Sequence, residues 1–167
     1  MSYVEKYPEY VSRFYDTVYR NLHPGVDLDY YLKKIVEISG PVLELGVGTG
    51  RIFIKALENG ADIYGVDVSK NMIDVLKKKI SHKFHDRLWV QDARNLKLTK
   101  IFDLVIAPFR MFSHLIRVED QIKTLNGIYN HLNPGGRLIF DLYIPNLEII
   151  LNGLENHLDF DGEYEKG

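Results

Sequence analysis

A chain of 167 residues, 46% of them hydrophobic, has the size of one globular domain and enough apolar surface to bury a sheet under helices on both faces. Its formal net charge of -2 provides no basic field of the kind that phosphate-backbone binding requires, which argues against nucleic acid and for a small molecule as substrate. With no cysteine, disulfides, cysteine metal sites and a cysteine nucleophile are excluded; no apolar signal core or membrane-length run is seen, so the expected setting is cytoplasmic, away from membranes.

Residues 1–39 read as a helical arm. Tyr3, Tyr7, Tyr10, Phe14 and Val18 recur at helical spacing, and Asp27 is placed to cap a second helix running to Glu37. Tyrosines cluster here, at 3, 7, 10, 15, 19, 30 and 31, as an aromatic face that would pack on the rest of the domain. Gly40-Pro41 breaks the arm.

The stretch Val42-Leu-Glu-Leu-Gly-Val-Gly-Thr-Gly-Arg51 follows: a short apolar strand carrying Glu44 that runs into a loop with glycine at 46, 48 and 50. Glycine lets backbone approach a ligand closely and adopts the φ values of a tight strand-to-helix turn. Asp62-Ile-Tyr-Gly-Val-Asp67 reads as the next strand, ending in an acid where α/β nucleoside-binding folds place the carboxylate for the ribose hydroxyls. A dinucleotide fingerprint would need glycine where Arg51 stands, and Glu44 beneath the loop would repel a pyrophosphate. A phosphate-binding P-loop would need a Lys-Ser or Lys-Thr pair after Gly50. The carboxylate suits a ligand that carries an ammonium and a sulfonium.

Further along, Ser69 is placed to cap a helix with Ile73, Leu76 and Ile80 on one face. His82, His85 and Asp86 have a spacing that can suggest a metal, but in a lysine-rich helix end they read as a solvated cluster. Gln91-Asp92-Ala93 closes a third strand, and Phe102-Asp-Leu-Val-Ile-Ala107 forms a fourth. Val118, Ile122, Leu125, Tyr129 and Leu132 mark the apolar face of another helix, with Glu119 and Asp120 in its first turn, and Asn133-Pro-Gly-Gly136 is expected to stop it before a fifth strand. A helix is suggested over Pro145 to Leu154, followed by an acidic segment, 159–167, read as a solvated terminus rather than a metal site. Strands alternating with helices predict a doubly wound, mostly parallel α/β sheet.

Over residues 40–145 the order of these elements resembles that of the class I S-adenosylmethionine-dependent methyltransferases, whose first motif sets an acid two residues before a G-x-G-x-G loop, as Glu44 and Gly46 to Gly50 do. The resemblance implies a Rossmann-like domain over 40–145, with 1–39 as arm or lid and 146–167 as the start of a further part. The family's last two strands, the final one antiparallel, have no counterpart in this sequence. The fifth strand is therefore expected to have an open edge that invites pairing with a second copy or with further residues of a longer chain.

The resemblance also implies S-adenosylmethionine as cofactor, S-adenosylhomocysteine as its product, and site roles. Gly46, Val47, Gly48 and Gly50 would form the cofactor loop; Glu44 with the Gly46 backbone would meet the methionine amino group, Asp67 the ribose, Asp92 and the Ala93 N–H the adenine, and Val68 and Met72 the faces of its ring. A capping role at strand ends is the alternative for Asp67 and Asp92. Ala107 would offer its backbone carbonyl, and Tyr15 and Tyr19 would lie near the sulfonium, where aromatic faces favour a cation. Amino-group methylases of nucleic acid carry Asp or Asn-Pro-Pro-Tyr or Phe where this chain has Ala107-Pro-Phe-Arg110, which again disfavours nucleic acid. Phe109, Arg110 and Phe112 would line an acceptor pocket; for the two phenylalanines, packing beneath the neighbouring helix is the alternative. His114 lies just beyond, where a neutral imidazole would take a proton from a hydroxyl or ammonium acceptor; a helix-end histidine is the plainer alternative. The competing functions are an NAD-linked oxidoreductase, with which Arg51 and Glu44 conflict, and a non-catalytic cofactor-binding subunit.

Overall fold

The computed structural model describes residues 14–17, 26–142, 144 and 147. The elements in order are α1 (Val26–Val36), β1 (Val42–Leu45), α2 (Arg51–Glu58), β2 (Ile63–Asp67), α3 (Lys70–Lys79), β3 (Leu88–Val90), β4 (Phe102–Ala107), α4 (Val118–Asn130) and β5 (Leu132–Phe140), with short 3-10 turns at His82–Arg87, Ala93–Asn95 and Met111–His114. Residues 14–17 form a further helical turn. The expected helix over 145–154 and the acidic tail lie outside the described residues, as do Tyr3, Tyr7, Tyr10, Val18 and Tyr19.

The five strands form one sheet in the order β3-β2-β1-β4-β5, each neighbouring pair parallel. Because the chain winds outward from β1 in one direction and then from β4 in the other, the loops after β1 and β4 part at the carboxyl ends of the strands and leave a crevice between them. The sheet is covered on both faces. Val42, Ile63, Leu104 and Ile106 pack with Ile35, Ile52, Phe53, Ile73 and Leu76 from α1, α2 and α3. Leu43, Leu45, Val66, Val105 and Ala107 pack on the other face with Leu96 and with Ile128 of α4. Every residue of β1 is buried, which is why its sequence is apolar without alternation apart from Glu44.

Three local expectations are corrected. Asp27 lies inside the first turn of α1 rather than at its cap, and its carboxylate takes both Nη atoms of Arg51, at 2.8 and 2.5 Å. In α4 the helical period is right but the phase is not. Val118, Ile122, Leu125 and Tyr129 are exposed, while Thr124 and Ile128 face the sheet. Finally, α4 ends at His131, which closes it through Ile128 O, and Asn133-Pro-Gly-Gly136 lies within β5. There the register jumps from Phe102 opposite Leu132 to Leu104 opposite Arg137. Gly135 takes a φ of 82°, and a Cβ on Gly136 would come within 2.9 Å of Asn133 O and 3.1 Å of Phe102 O, so the bulge needs the glycine pair. Among the described residues β5 pairs only with β4.

Candidate active site

The crevice opens into a cleft of about 640 Å³ at the carboxyl ends of β1, β2 and β4. One wall is the loop after β1. The N–H groups of Gly46 and Val47 both donate to Val66 O, at 2.8 and 3.0 Å, pinning the loop to β2. Gly46, Gly48 and Gly50 all have left-handed backbone, with φ of 69°, 54° and 91°. Their surroundings differ. A Cβ on Gly46 would meet Met111 Cγ at 2.6 Å and one on Gly50 would meet Leu76 Cδ1 at 2.3 Å, whereas beside Gly48 nothing lies closer than 3.9 Å. Gly48 is the glycine that leaves open space in the cleft.

Two buried carboxylates stand beneath this loop. Glu44, 3% exposed, lines the cleft, and its Oε2 has no hydrogen-bond partner among the described residues. Burial pushes its carboxyl up to about 8; the Arg51 charge pulls it down, the Asp67 charge pushes it up, and the Phe53 N–H pulls it down. Asp67, at the end of β2, accepts from Gly48 N–H through Oδ2 at 2.9 Å and from Ser69 N–H through Oδ1 at 2.8 Å. Burial raises Asp67 as well, opposed by the Ser69, Gly48 and Val68 N–H groups. Each Asp67 oxygen keeps a lone pair for a further donor.

Other expected residues arrive at the same cleft. Val47, Val68, Met72, Asp92, Ala93 and Tyr15 line it, and so do Phe109, Arg110 and His114 from the loop after β4. Asp92 caps the 3-10 turn that contains Ala93 by accepting from Arg94 N–H at 2.9 Å, and the Arg94 side chain grips both of its oxygens. Those bonds, led by Arg94, hold the Asp92 carboxyl below its usual range. Arg94 also reaches Asp120 in the first turn of α4, at 3.3 Å. Asp92 therefore does cap, at the wall of the cleft, whereas the helix after Asp67 is capped by Ser69 and Asp67 holds the Gly48 and Ser69 N–H groups.

Three expected residues are not at the cleft. Ala107 is fully buried among Leu43, Leu45 and Val105, because the last strand residue faces the α4 side of the sheet; Pro108 takes the lining position. Gly50 supports the loop from below, shielded by Leu76 and Ile54. Phe112 packs under the neighbouring strand end, 4.8 Å from the Phe140 ring. Tyr19 lies outside the described residues. His82 and His85 have rings 4.7 Å apart, and His85 Nε2 lies 2.9 Å from Lys77 O; among the described residues no group of three His, Asp or Glu is placed to hold a metal.

Several contributors went unseen in the sequence. Thr49 in the glycine loop donates to Asp16 at 2.5 Å, and Lys79 contacts Asp16 as well as Thr49 O, so the 14–17 turn is tied to the loop. Arg51, noted above only as a missing glycine, stacks its guanidinium 5.1 Å above the Phe109 ring. Met111 and Asp120 also line the cleft. Among the described residues, no helix is long and apolar enough to cross a membrane.

A methyltransferase domain family matches residues 42–136, the span from β1 into β5 that builds this cleft. Among curated proteins the chain is similar to a cypemycin N-terminal methyltransferase of Streptomyces sp, 33% identical over 146 residues, covering 87% of this chain and 59% of that protein. It is also similar to a glycine/sarcosine N-methyltransferase of Halorhodospira halochloris, 28% identical, covering 83% of this chain and 54% of that protein. The chain thus spans little more than half the length of these relatives. Among solved structures, an S-adenosylmethionine-dependent methyltransferase from Clostridium acetobutylicum superposes with a TM-score of 0.58 at 29% identity, covering 69% of this chain and 48% of that one. With the family match spanning the glycine loop, both acids and the parallel sheet, the chain belongs to the class I S-adenosylmethionine-dependent methyltransferases.

Proposed function

We propose that the cleft holds S-adenosylmethionine and that the protein transfers its methyl group to a small-molecule acceptor, at an amine nitrogen. The observation that carries this reading is Glu44: a carboxylate 3% exposed, on the wall of the cleft, with one oxygen unpartnered among the described residues. A buried acid of this kind repels phosphate and is satisfied by a ligand ammonium. Glu44 and the Gly46 backbone would hold the methionine amino group, Asp67 the two ribose hydroxyls, and Asp92 with Ala93 the adenine edge, between Val68 and Met72. Tyr15 would face the sulfonium.

When bound, the cofactor supplies a methyl carbon already activated by positive sulfur. The chain needs no nucleophile and contributes position, an effect of roughly 7–11 kcal/mol when reacting atoms are held in line about 3–3.5 Å apart. The acceptor side is the wall formed by Phe109, Arg110 and Met111, with His114 as the histidine of the cleft wall and the residue proposed to take a proton from the acceptor. The amine assignment is supported by one relative named a glycine/sarcosine N-methyltransferase and another named an N-terminal methyltransferase, and the small-molecule class by the net charge of -2, which disfavours nucleic acid.

The test is incubation of the full chain with S-adenosylmethionine and separate pools of amino acids, amino sugars and short peptides with free N-termini, read by mass spectrometry. Formation of S-adenosylhomocysteine with one added methyl on an amine supports the proposal. Methyl transfer confined to hydroxyl acceptors, or to RNA, would reject the acceptor class. Cofactor binding with no transfer would favour a binding subunit.

A further inference from the structure

The loop after β4 carries a backbone anomaly at the cleft wall. Phe109 and Arg110 are consecutive residues with φ of 56° and 61°, and they are the non-glycine residues with left-handed backbone among those described. An L side chain pays roughly 1–2 kcal/mol for that conformation at each position, so the surrounding structure must impose it. A single carboxylate 31 residues beyond Arg110 meets both backbone N–H groups. Asp141, just past β5, accepts from Phe109 N–H through Oδ2 at 2.7 Å and from Arg110 N–H through Oδ1 at 2.5 Å. Its Oδ2 also accepts from the Tyr31 hydroxyl at 3.0 Å.

Tyr31 is a core residue of α1, 2% exposed, and its hydroxyl is locked as a donor, because burial and the adjacent Asp141 charge raise it far above the usual phenol range. One carboxylate therefore joins three elements that are remote in sequence: α1, the loop after β4, and the end of β5. The loop so fixed carries the Phe109 ring under the Arg51 guanidinium and presents Phe109 and Arg110 to the cleft.

We propose that Asp141, seated by Tyr31, is a positioning residue that holds the acceptor wall of the cleft in its left-handed form. The proposal rests on the reading of this cleft as the methyl-transfer site only for the word acceptor; the clamp itself is a statement about two amides. Charge-assisted hydrogen bonds are the stronger class, and two on adjacent N–H groups resist relaxation of the pair into ordinary backbone. The carboxylate also has a spare role for the hydroxyl: by fixing Asp141 from the far side, Tyr31 keeps both oxygens turned to the loop.

The experiment is amide hydrogen exchange on the full chain, resolved at Phe109 and Arg110, for wild type, Asp141→Ala, Asp141→Asn and Tyr31→Phe, with calorimetric binding of S-adenosylhomocysteine alongside. Asp141→Ala is expected to speed exchange at both amides by about tenfold or more, the equivalent of one lost charge-assisted hydrogen bond, while amides of β1 and β2 keep their rates. Asp141→Asn, which keeps one accepting oxygen, should restore protection at one of the two amides, a partial rescue that a merely space-filling role would not produce. Tyr31→Phe should give a smaller increase confined to the same two amides. Unchanged exchange at Phe109 and Arg110 in Asp141→Ala, or a uniform rise throughout the sheet, would overturn the clamp. Failure of S-adenosylhomocysteine to bind wild type would overturn the cofactor reading and leave the exchange result to decide the clamp by itself.

Discussion

Glu44, one residue before the end of β1, and Asp67, the last residue of the neighbouring β2, are two buried carboxylates, one with an oxygen unpartnered among the described residues and one held by two backbone N–H groups. Burial, reinforced by the charge on Asp67 and opposed by Arg51, places Glu44 at about 8 against an ordinary 4.5. The folded value lies above the unfolded one, so the ionised form destabilises the free protein. Stability is greatest below the ordinary value and declines as pH rises from 4.5 toward 8. Cation binding needs the ionised form. Affinity for S-adenosylhomocysteine should therefore rise from about pH 6 to about pH 8, by at most about tenfold per unit, with proton release on binding. Glu44→Gln should flatten that profile, weaken binding and raise the melting temperature at pH 8, measured by calorimetry and thermal denaturation.

Asp67→Asn keeps the shape of the side chain and removes its charge and one acceptor. We expect cofactor affinity to fall by about 2–4 kcal/mol, since charge-assisted bonds to two hydroxyls are weakened together. Equal affinity in calorimetric titrations of mutant and wild type would remove Asp67 from the ribose role.

The glycines separate support from contact. Gly50→Ala places a Cβ against Leu76 at a φ of 91°, so it should cost about 2–4 kcal/mol of stability in denaturant titration. Gly48→Ala meets open space and should cost only about 1–2 kcal/mol of stability, yet cut S-adenosylhomocysteine affinity because its methyl occupies the cleft. The reverse ranking would contradict the placement of the loop.

His114 is exposed on the cleft wall at the end of the Met111–His114 turn. If it takes the acceptor proton, His114→Ala lowers turnover by roughly 10²–10⁴-fold with cofactor affinity unchanged. Turnover equal to wild type, with the acceptor identified as above, would make it a surface histidine.

The parts of this molecule that were legible in the sequence are those written in adjacent residues. The glycine loop, Glu44 two residues before it and Asp67 at the end of the next strand announce themselves by spacing, because a strand-to-helix turn is local. What depends on tertiary phase was not legible. The stripe Val118, Ile122, Leu125, Tyr129 has the correct helical period, but Thr124 and Ile128 are the residues turned to the sheet. Ala107 follows Ile106 in a strand buried on both faces, where alternation carries no signal for which residue reaches the cleft. The bond from Tyr31 to Asp141 spans 110 residues and exists only once β5 has paired with β4. Likewise Asp27 reads as a cap until Arg51 is brought beside it.

Calorimetric titration of the full chain with S-adenosylhomocysteine and, separately, with NAD tests the central claim most directly. The structure, with a carboxylate under the glycine loop and Arg51 where a dinucleotide fingerprint has its third glycine, predicts one molecule of S-adenosylhomocysteine bound per chain, weaker binding in Glu44→Gln and Asp67→Asn, and no measurable heat with NAD. Binding of NAD at comparable affinity, or of neither ligand, would contradict it.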